Sequence, residues 1–297
     1  MQTFMVTGST QGLGLEIARE LAKKSQTRVI MAVRDLKKGQ EIAQQLGESV
    51  SAVHLDLSSL AAVSRFAKDW NTRLDGLVNN AGVQFGTRES FTPDHFEETI
   101  AVNHLAAFLL TIGLEEHLAG SRVLFIGSGT HNPGRARNFG FRGAQYTSIQ
   151  ELAAGKSSSD DISQRNRDRY ATSKFLNMVT GVELARRGKP YQSFVLDPGL
   201  MPGTGLARAH SGAMEQFFWK RVLPGIGFLL PDTSSPKRSA AAAAWIMTEE
   251  RLPYPNGTIF SFDKKPNKYV WEEMVRNPKV GAEVYEQSLG VLSSFRQ

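Results

Sequence analysis

The stretch that most limits what this chain can fold into lies at its start. Thr3-Phe4-Met5-Val6-Thr7 runs without a break into Gly8-Ser9-Thr10-Gln11-Gly12-Leu13-Gly14, and then into the apolar spacing Leu15, Ile17, Ala18, Leu21, Ala22. A buried strand, a glycine-rich turn and a helix opening on glycine form the phosphate end of a dinucleotide site. Small residues there let backbone N–H groups and a helix N-terminus approach a pyrophosphate. The same residues also read as a turn whose glycines serve packing only.

The pattern then repeats: strand Arg28 to Val33, helix Lys37 to Leu46, strand Val50 to Leu55, helix Leu60 to Trp70, strand Leu74 to Val78. Strands alternating with helices predict an α/β fold, a doubly wound parallel sheet with helices on both faces. At 297 residues and 41% hydrophobic content the chain can bury one large core, so a single domain over 1–297 is expected. No window approaches the roughly 20 apolar residues of a membrane span. The first strand begins almost at Met1, which leaves no room for a leader and predicts a cytoplasmic protein. With zero cysteines there is no disulfide, thiolate metal site or cysteine nucleophile, and no metal is expected. The formal charge of +6 is scattered, which argues against nucleic acid and suits an anionic, phosphate-bearing ligand.

Strand ends assign roles along this frame. The second strand ends at Arg34, where an acidic residue would accept from an adenosine ribose and an arginine accommodates a 2′-phosphate. Arg34 therefore points to NADP(H), with Lys38 a second charge and Ser9 or Thr10 a hydroxyl; Asp35 next to it leaves NAD open. After the third strand, Asp56 and Leu57 sit where a carboxylate can meet the adenine amino group, although Asp56 also reads as a helix cap. After the fourth, Asn79-Asn80-Ala81-Gly82 suits a crevice floor or an ordinary turn. The fifth strand, Arg122 to Ile126, ends in Gly127-Ser128-Gly129. Ser128 can donate to a substrate oxygen as charge develops, or simply form a turn; it lacks the Gly-x-Ser-x-Gly spacing of a hydrolase nucleophile.

The chemical centre is Tyr170-Ala171-Thr172-Ser173-Lys174. A tyrosine and a lysine four residues apart share a helix face, so the ammonium can favour the ionised phenol and draw its pKa down from about 10. Tyr170 is expected to open a helix that runs to Arg187. Alone, this spacing recurs by chance on exposed helices; behind the phosphate turn it acquires meaning.

The ordered set Thr7 to Gly14, Asp56, Asn79 to Gly82, Asn103, Ser128, Tyr170 with Lys174, and Pro198-Gly199 resembles the short-chain dehydrogenase/reductase family over nearly the whole chain, which implies a Rossmann-type fold. Val29 to Gly39 and Val102 to Thr111 look like its retinol-dehydrogenase and protochlorophyllide-reductase branch, whose members generally use NADP(H). The resemblance implies that Asn103 breaks a helix between Phe96 and Leu118, holds a water and links Lys174 to a proton relay. It also implies that Lys174 binds the nicotinamide ribose, that Pro198-Gly199-Leu200 passes over the nicotinamide, and that Thr204 touches its carboxamide or the phosphates. Leu200 stands where protochlorophyllide reductases carry a cysteine, which counts against a light-driven reductase. His104 beside Asn103 reads as structural.

Two segments depart from the compact family pattern. Ser128 and Tyr170 are 42 residues apart, where about a dozen suffice in such sheets. The insertion, about 131–168, reads as a substrate-shaping flap or a surface loop. It holds a short helix around Ile149 to Ala154, the polar run Ser157 to Asp161, and His131, Arg135, Arg137 and Arg142, which can meet an acidic group. The apolar stretch 205–236, with Phe217, Phe218, Trp219, Phe228 and Leu229, reads as a lid over a bulky substrate, with a peripheral membrane contact or an oligomer interface as alternatives. The oligomeric state stays open.

The expected activity is hydride transfer between NADP(H) and a carbonyl or alcohol carbon of a hydrophobic small molecule, with Tyr170 as acid/base. The alternatives are reduction of a carbon–carbon double bond and a non-catalytic NADP-sensing interaction protein, whose mark would be a lost Asn, Ser, Tyr or Lys.

Overall fold

The structure, a computed structural model, describes residues 1–136, 140–201 and 232–296. The expectations for Arg137, for Thr204, for most of the 205–236 segment and for the Arg135 side chain lie outside the described residues.

The strands β1 (Gln2–Thr7), β2 (Thr27–Val33), β3 (Val50–His54), β4 (Gly76–Asn79), β5 (Arg122–Ile126), β6 (Gln192–Asp197) and β7 (Ile259–Ser261) form one sheet in the order β3-β2-β1-β4-β5-β6-β7, every pair parallel. Alternate strand residues feed the two faces. Met5 packs into one core cluster, Phe4 and Val6 into the other. Because both faces are covered, the strands read as continuous apolar runs rather than alternating ones. One face is built on α3 (Leu60–Asp69), α5 (Ala106–Gly113) and α8 (Ile162–Arg186), the other on α1 (Gly12–Ala22) and α9 (Pro236–Thr248). The chain moves outward from β1 to β3, then returns to set β4 on the other side of β1. That reversal opens a crevice at the carboxyl ends of the central strands.

Helix α2 (Leu36–Leu46) and helix α4 (Glu98–Ile100) complete the first half. From α4 the chain passes into a π-helical turn, Ala101–Leu105, and then into α5, so the helix is widened at Asn103 rather than broken. Between β5 and α8 lie α6 (Pro133–Ala136) and α7 (Ile149–Ala153). Ile149, Leu152 and Ala153 are buried in the main core, and Tyr146 packs on Phe175 with ring centroids 5.8 Å apart. This part of the insertion is a packed element of the core, not a surface loop.

One expectation is corrected here. Helix α8 begins at Ile162, not at Tyr170: the Asp161 side chain accepts from Ser163 N–H at 2.8 Å and caps it. Tyr170 therefore sits two turns inside the helix, and the polar run Ser157 to Asp161 is the approach to its cap. The tail is ordered as α10 (Glu272–Val275) and α11 (Pro278–Val291), packed on α8.

Candidate active site

Three glycines shape the turn after β1 for three different reasons. Gly8 has φ +64°, and a Cβ there would come within 2.8 Å of Ala81 Cα. Gly14 has no room because Asn80 Nδ2 and Gly8 O fill the space. Gly12, at φ +59°, faces open space at the first residue of α1. The N-cap residue Gln11 supplies no side-chain cap, so the first-turn N–H groups of an 11-residue helix look into that space. Asn80 locks the two strand ends together, donating to Thr7 O at 2.9 Å and to Gly8 O at 3.2 Å. These residues fit a dinucleotide pyrophosphate. Ser9 and Leu13 are buried, the Ser9 hydroxyl donating to Val6 O, so only their backbone can serve the site and Thr10 remains the candidate hydroxyl.

At the end of β2, Arg34 and Asp35 separate into different tasks. Asp35 caps α2, its carboxylate accepting from Lys38 N–H at 3.0 Å. Arg34 is exposed and makes no ion pair among the described residues. Lys38 is exposed one turn into α2. Asp56 is not the cap of α3, a role taken by Ser59; it accepts from Ser58 N–H and Oγ through Oδ1 at 2.9 and 2.7 Å. Leu57 beside it is buried.

The four residues expected to carry chemistry come together at the crevice. Lys174, 4% exposed, donates to Ile126 O at 3.1 Å and lies 5.8 Å from the Tyr170 ring centroid. Asn103 is fixed on both ends of its amide: Oδ1 accepts from Val83 N–H at 2.7 Å, and Nδ2 donates to Val83 O at 3.0 Å and to Ser173 Oγ at 2.9 Å. Gly82 is where the two meet, since a Cβ on it would stand 3.3 Å from Asn103 Oδ1 and 3.4 Å from Lys174 Nζ. Ser128 Oγ accepts from Thr130 N–H and Oγ1 at 3.3 and 3.0 Å and interacts with the Tyr170 phenol.

One electrostatic expectation is overturned. Burial, reinforced by the Asp197 carboxylate, raises the Tyr170 pKa, and the Ser128 contact lowers it only in part. Lys174 does not prevail because it too is desolvated: burial takes its pKa down to about 8, and its proton is directed at a carbonyl. Tyr170 in this site is a neutral phenol.

Tyr170 opens onto a cleft of roughly 300 Å³ lined by Ser128, Thr130, Phe141, Asp197, Gly199 and Leu200, with a strap from Ser261 to Tyr269 on its far side. Gly199 is required at φ +72°, where a Cβ would meet Phe262 and Asp232 O within 2.7 Å. Pro198 O accepts from Ser239 Oγ at 2.6 Å. Phe141, from the insertion, packs on Tyr170 with centroids 6.1 Å apart. Arg142 is ion-paired with Asp168 and so is not a free anion-binding group. His131 is likewise occupied: its Nδ1–H donates to Ser128 O at 2.7 Å and its Nε2 accepts from Trp271 N–H at 3.1 Å. His104 is fully buried against Ser288 and structural, as expected.

Several of these residues escape a reading of the sequence. Ser173 lies inside the Tyr170–Lys174 stretch, so proximity is the available signal. Asp197, Asn267 and Phe141 carry no local pattern that marks them.

A family model for short chain dehydrogenases matches residues 2–141. Protochlorophyllide reductase B from Hordeum vulgare is 36% identical over 284 residues, covering 88% of this chain and 70% of the relative. Human retinol dehydrogenase 11 is 34% identical over 270 residues, covering 86% and 76%. The chain spans only about 60% of the length of protochlorophyllide reductase from Chlamydomonas reinhardtii and about the same share of that from Pisum sativum, where the coverages are 60% and 59%. Among solved structures, an uncharacterized protein from Mycobacterium paratuberculosis superposes with a TM-score of 0.70 at 25% identity, over 99% of this chain and 94% of that one. An NAD(P)-dependent gluconate 5-dehydrogenase from Beutenbergia cavernae, solved with NADP, shares the fold with a TM-score of 0.63 at 21% identity, over 89% and 95%. None of the described helices is long and apolar enough to cross a membrane. With the parallel sheet, the glycine turn and these relatives in agreement, the chain belongs to the short-chain dehydrogenase/reductase family of oxidoreductases.

Proposed function

We propose that this protein is an NADP(H)-dependent oxidoreductase that moves hydride between nicotinamide and the carbonyl or alcohol carbon of a bulky hydrophobic substrate, with Tyr170 as general acid/base. The observation that carries this reading is that Ser128 and Tyr170 line one cleft at the strand ends while Lys174 and Asn103 stand buried behind them. The exposed Arg34, with no ion pair among the described residues and beside an Asp35 engaged as a helix cap, supports a 2′-phosphate and hence NADP(H) over NAD. Gly8 to Gly14 would hold the pyrophosphate, Asp56 and Leu57 would border the adenine, and Asn80 to Gly82 with Pro198 to Leu200 would border the nicotinamide end.

When bound, the reduced cofactor supplies the hydride. Ser128 Oγ accepts from Thr130, which leaves its own proton to be donated to a substrate oxygen. Tyr170, held neutral by burial, gives its proton to the same oxygen as negative charge develops there. Lys174 is still largely protonated near neutral pH, and its charge steadies the phenolate left behind. Asn103 and Ser173 fix the helix that carries both. Reduction uses the neutral phenol, and oxidation would use the phenolate.

A carbon–carbon double bond is the second reading, on the strength of the similarity to protochlorophyllide reductases. Such a reaction needs Tyr170 and Lys174 but little from Ser128. The test is an NADPH-oxidation screen over hydrophobic ketones, aldehydes and enones, with NADH in parallel, followed by Ser128→Ala on the best substrate. A loss of about 100-fold or more in kcat supports the carbonyl reading, whereas indifference to Ser128→Ala supports the double bond.

A further inference from the structure

Ionisable side chains from Asp232, Asp263, Lys265 and Lys268 also line the cleft, but Asp197 is the buried one beside Ser128 and Tyr170, and this mechanism leaves it unused. Asp197 ends β6 at 7% exposure and lines the cleft beside Ser128, Thr130 and Tyr170. Its Oδ1 accepts from Gly199 N–H at 3.1 Å, and its Oδ2 from Asn267 Nδ2 at 2.9 Å. The Asn267 amide is oriented in turn, because its Oδ1 accepts from Tyr269 N–H at 2.8 Å. The carboxylate is thus held in place rather than free to swing. Oδ2 also stands 3.5 Å from the Cβ position of Gly129, the residue after Ser128.

No lysine or arginine among the described residues pairs with this carboxylate. His131 is nearby but neutral, since burial lowers its pKa and one ring nitrogen accepts from Trp271 N–H. An ionised carboxylate offers about four lone-pair sites, and backbone and amide donors fill two of Asp197's. A desolvated carboxylate with only neutral partners is stabilised by a ligand that brings a proton donor, above all a cationic one, and it rejects an anion or plain hydrocarbon placed against it. Asp197 is close enough to Tyr170 to act on the phenol electrostatically. Because Oδ2 stands beside Gly129 and Asp197 lines the same cleft as Ser128 and Tyr170, a substrate whose oxygen those two residues hold would present its adjacent carbon to the carboxylate's side of the cleft.

We propose that Asp197 is a specificity-determining residue, and that the substrate carries a hydrogen-bond donor, best an ammonium and otherwise a hydroxyl, on the carbon next to the reacting carbonyl. This inference rests on the carbonyl reading above and narrows its substrate class to α-amino and α-hydroxy ketones, or the corresponding amino alcohols and diols.

Acetophenone, 2-hydroxy-1-phenylethanone and 2-amino-1-phenylethanone differ only at that carbon and serve as probes. An electron-withdrawing substituent activates a carbonyl in any reductase, so the readout is how their kcat/KM ratios change between wild type and Asp197→Asn. The substitution keeps the shape and an acceptor for Gly199 while removing the charge. The aminoketone-to-acetophenone ratio is expected to fall about tenfold or more, and the hydroxyketone ratio by less; unchanged ratios overturn the proposal. Binding is measured alongside, as the affinities of wild type with NADP(H) for 2-amino-1-phenylethanol and 1-phenylethanol. Preference for the amino alcohol is expected, and equal affinities overturn the assignment whatever the variant does. If no ketone is reduced yet the amino alcohol is preferred in wild type and not in Asp197→Asn, Asp197 keeps its role and the carbonyl reading fails instead.

Discussion

The Asn103 amide and the Ser173 hydroxyl are joined at 2.9 Å, which ties a π-helical turn on one helix to the residue just before Lys174 on another. Ser173 Oγ passes the bond on to Tyr170 O at 2.8 Å. Asn103→Leu removes these bonds and leaves the Val83 N–H and carbonyl without their partner in a half-buried site. It is expected to cost about 1–3 kcal/mol of stability in urea unfolding, as well as turnover. Ser173→Ala cuts only the link to the catalytic helix and is expected to be milder in both measurements. Equal stability of Asn103→Leu and wild type would show that the amide does not organise the site.

The glycines of the first turn separate fold from ligand. Gly14→Ala collides with Asn80 and Gly8 O, and is expected to lower the melting temperature whether or not cofactor is present. Gly12→Ala meets no atom within 4 Å, so its stability cost is confined to the positive φ, about 1 kcal/mol. Its larger effect falls on NADPH affinity, because the added methyl stands in the space in front of the helix N-terminus. Fluorescence titration with NADPH, paired with thermal unfolding of the apo protein, distinguishes the two.

Arg34→Ala is expected to weaken NADPH about 10- to 100-fold, as loss of a charge-assisted phosphate contact does, and to change NADH affinity little. The neighbouring Asp35→Ala should instead cost about 1 kcal/mol in helix capping, with the NADPH preference kept. A reversal of this pattern would mean that Asp35, not Arg34, reads the ribose.

Acid stability carries the signature of His104. Full burial lowers its pKa from 6.5 to about 3 in the folded state. Between those values the unfolded chain binds a proton that the folded chain refuses, so this contribution is intact above about pH 6.5 and is lost as pH falls toward 3, at up to about 1.4 kcal/mol per pH unit. Unfolding free energies of wild type and His104→Gln from pH 4 to 6.5 should diverge in slope by about one proton. Parallel slopes would place the histidine in contact with solvent.

Much of the frame is legible in the residues themselves. The apolar runs of β1 to β5 and the glycine turn specify a parallel sheet because each strand must be buried on both faces, and strand ends then inherit the ligand positions. Tyr170 and Lys174 follow from helical spacing. What spacing cannot give is the balance between burial and charge: a lysine beside a tyrosine suggests a phenolate, yet both are desolvated, and the phenol stays neutral. Nor can it place Asn267 against Asp197, 70 residues away in sequence, since only the β6–β7 pairing brings them together. The start of α8 is hidden for a local reason: the polar segment before Tyr170 has no apolar stripe to announce a helix.

The central claim is that Tyr170 exchanges a proton with the substrate oxygen. The most direct measurement is the steady-state rate of NADPH oxidation by Tyr170→Phe with the best substrate from the screen, alongside NADPH titration of the same variant. The account predicts a kcat lower by about 100- to 10,000-fold with cofactor affinity kept within a few-fold. A variant that turns over at the wild-type rate would contradict it.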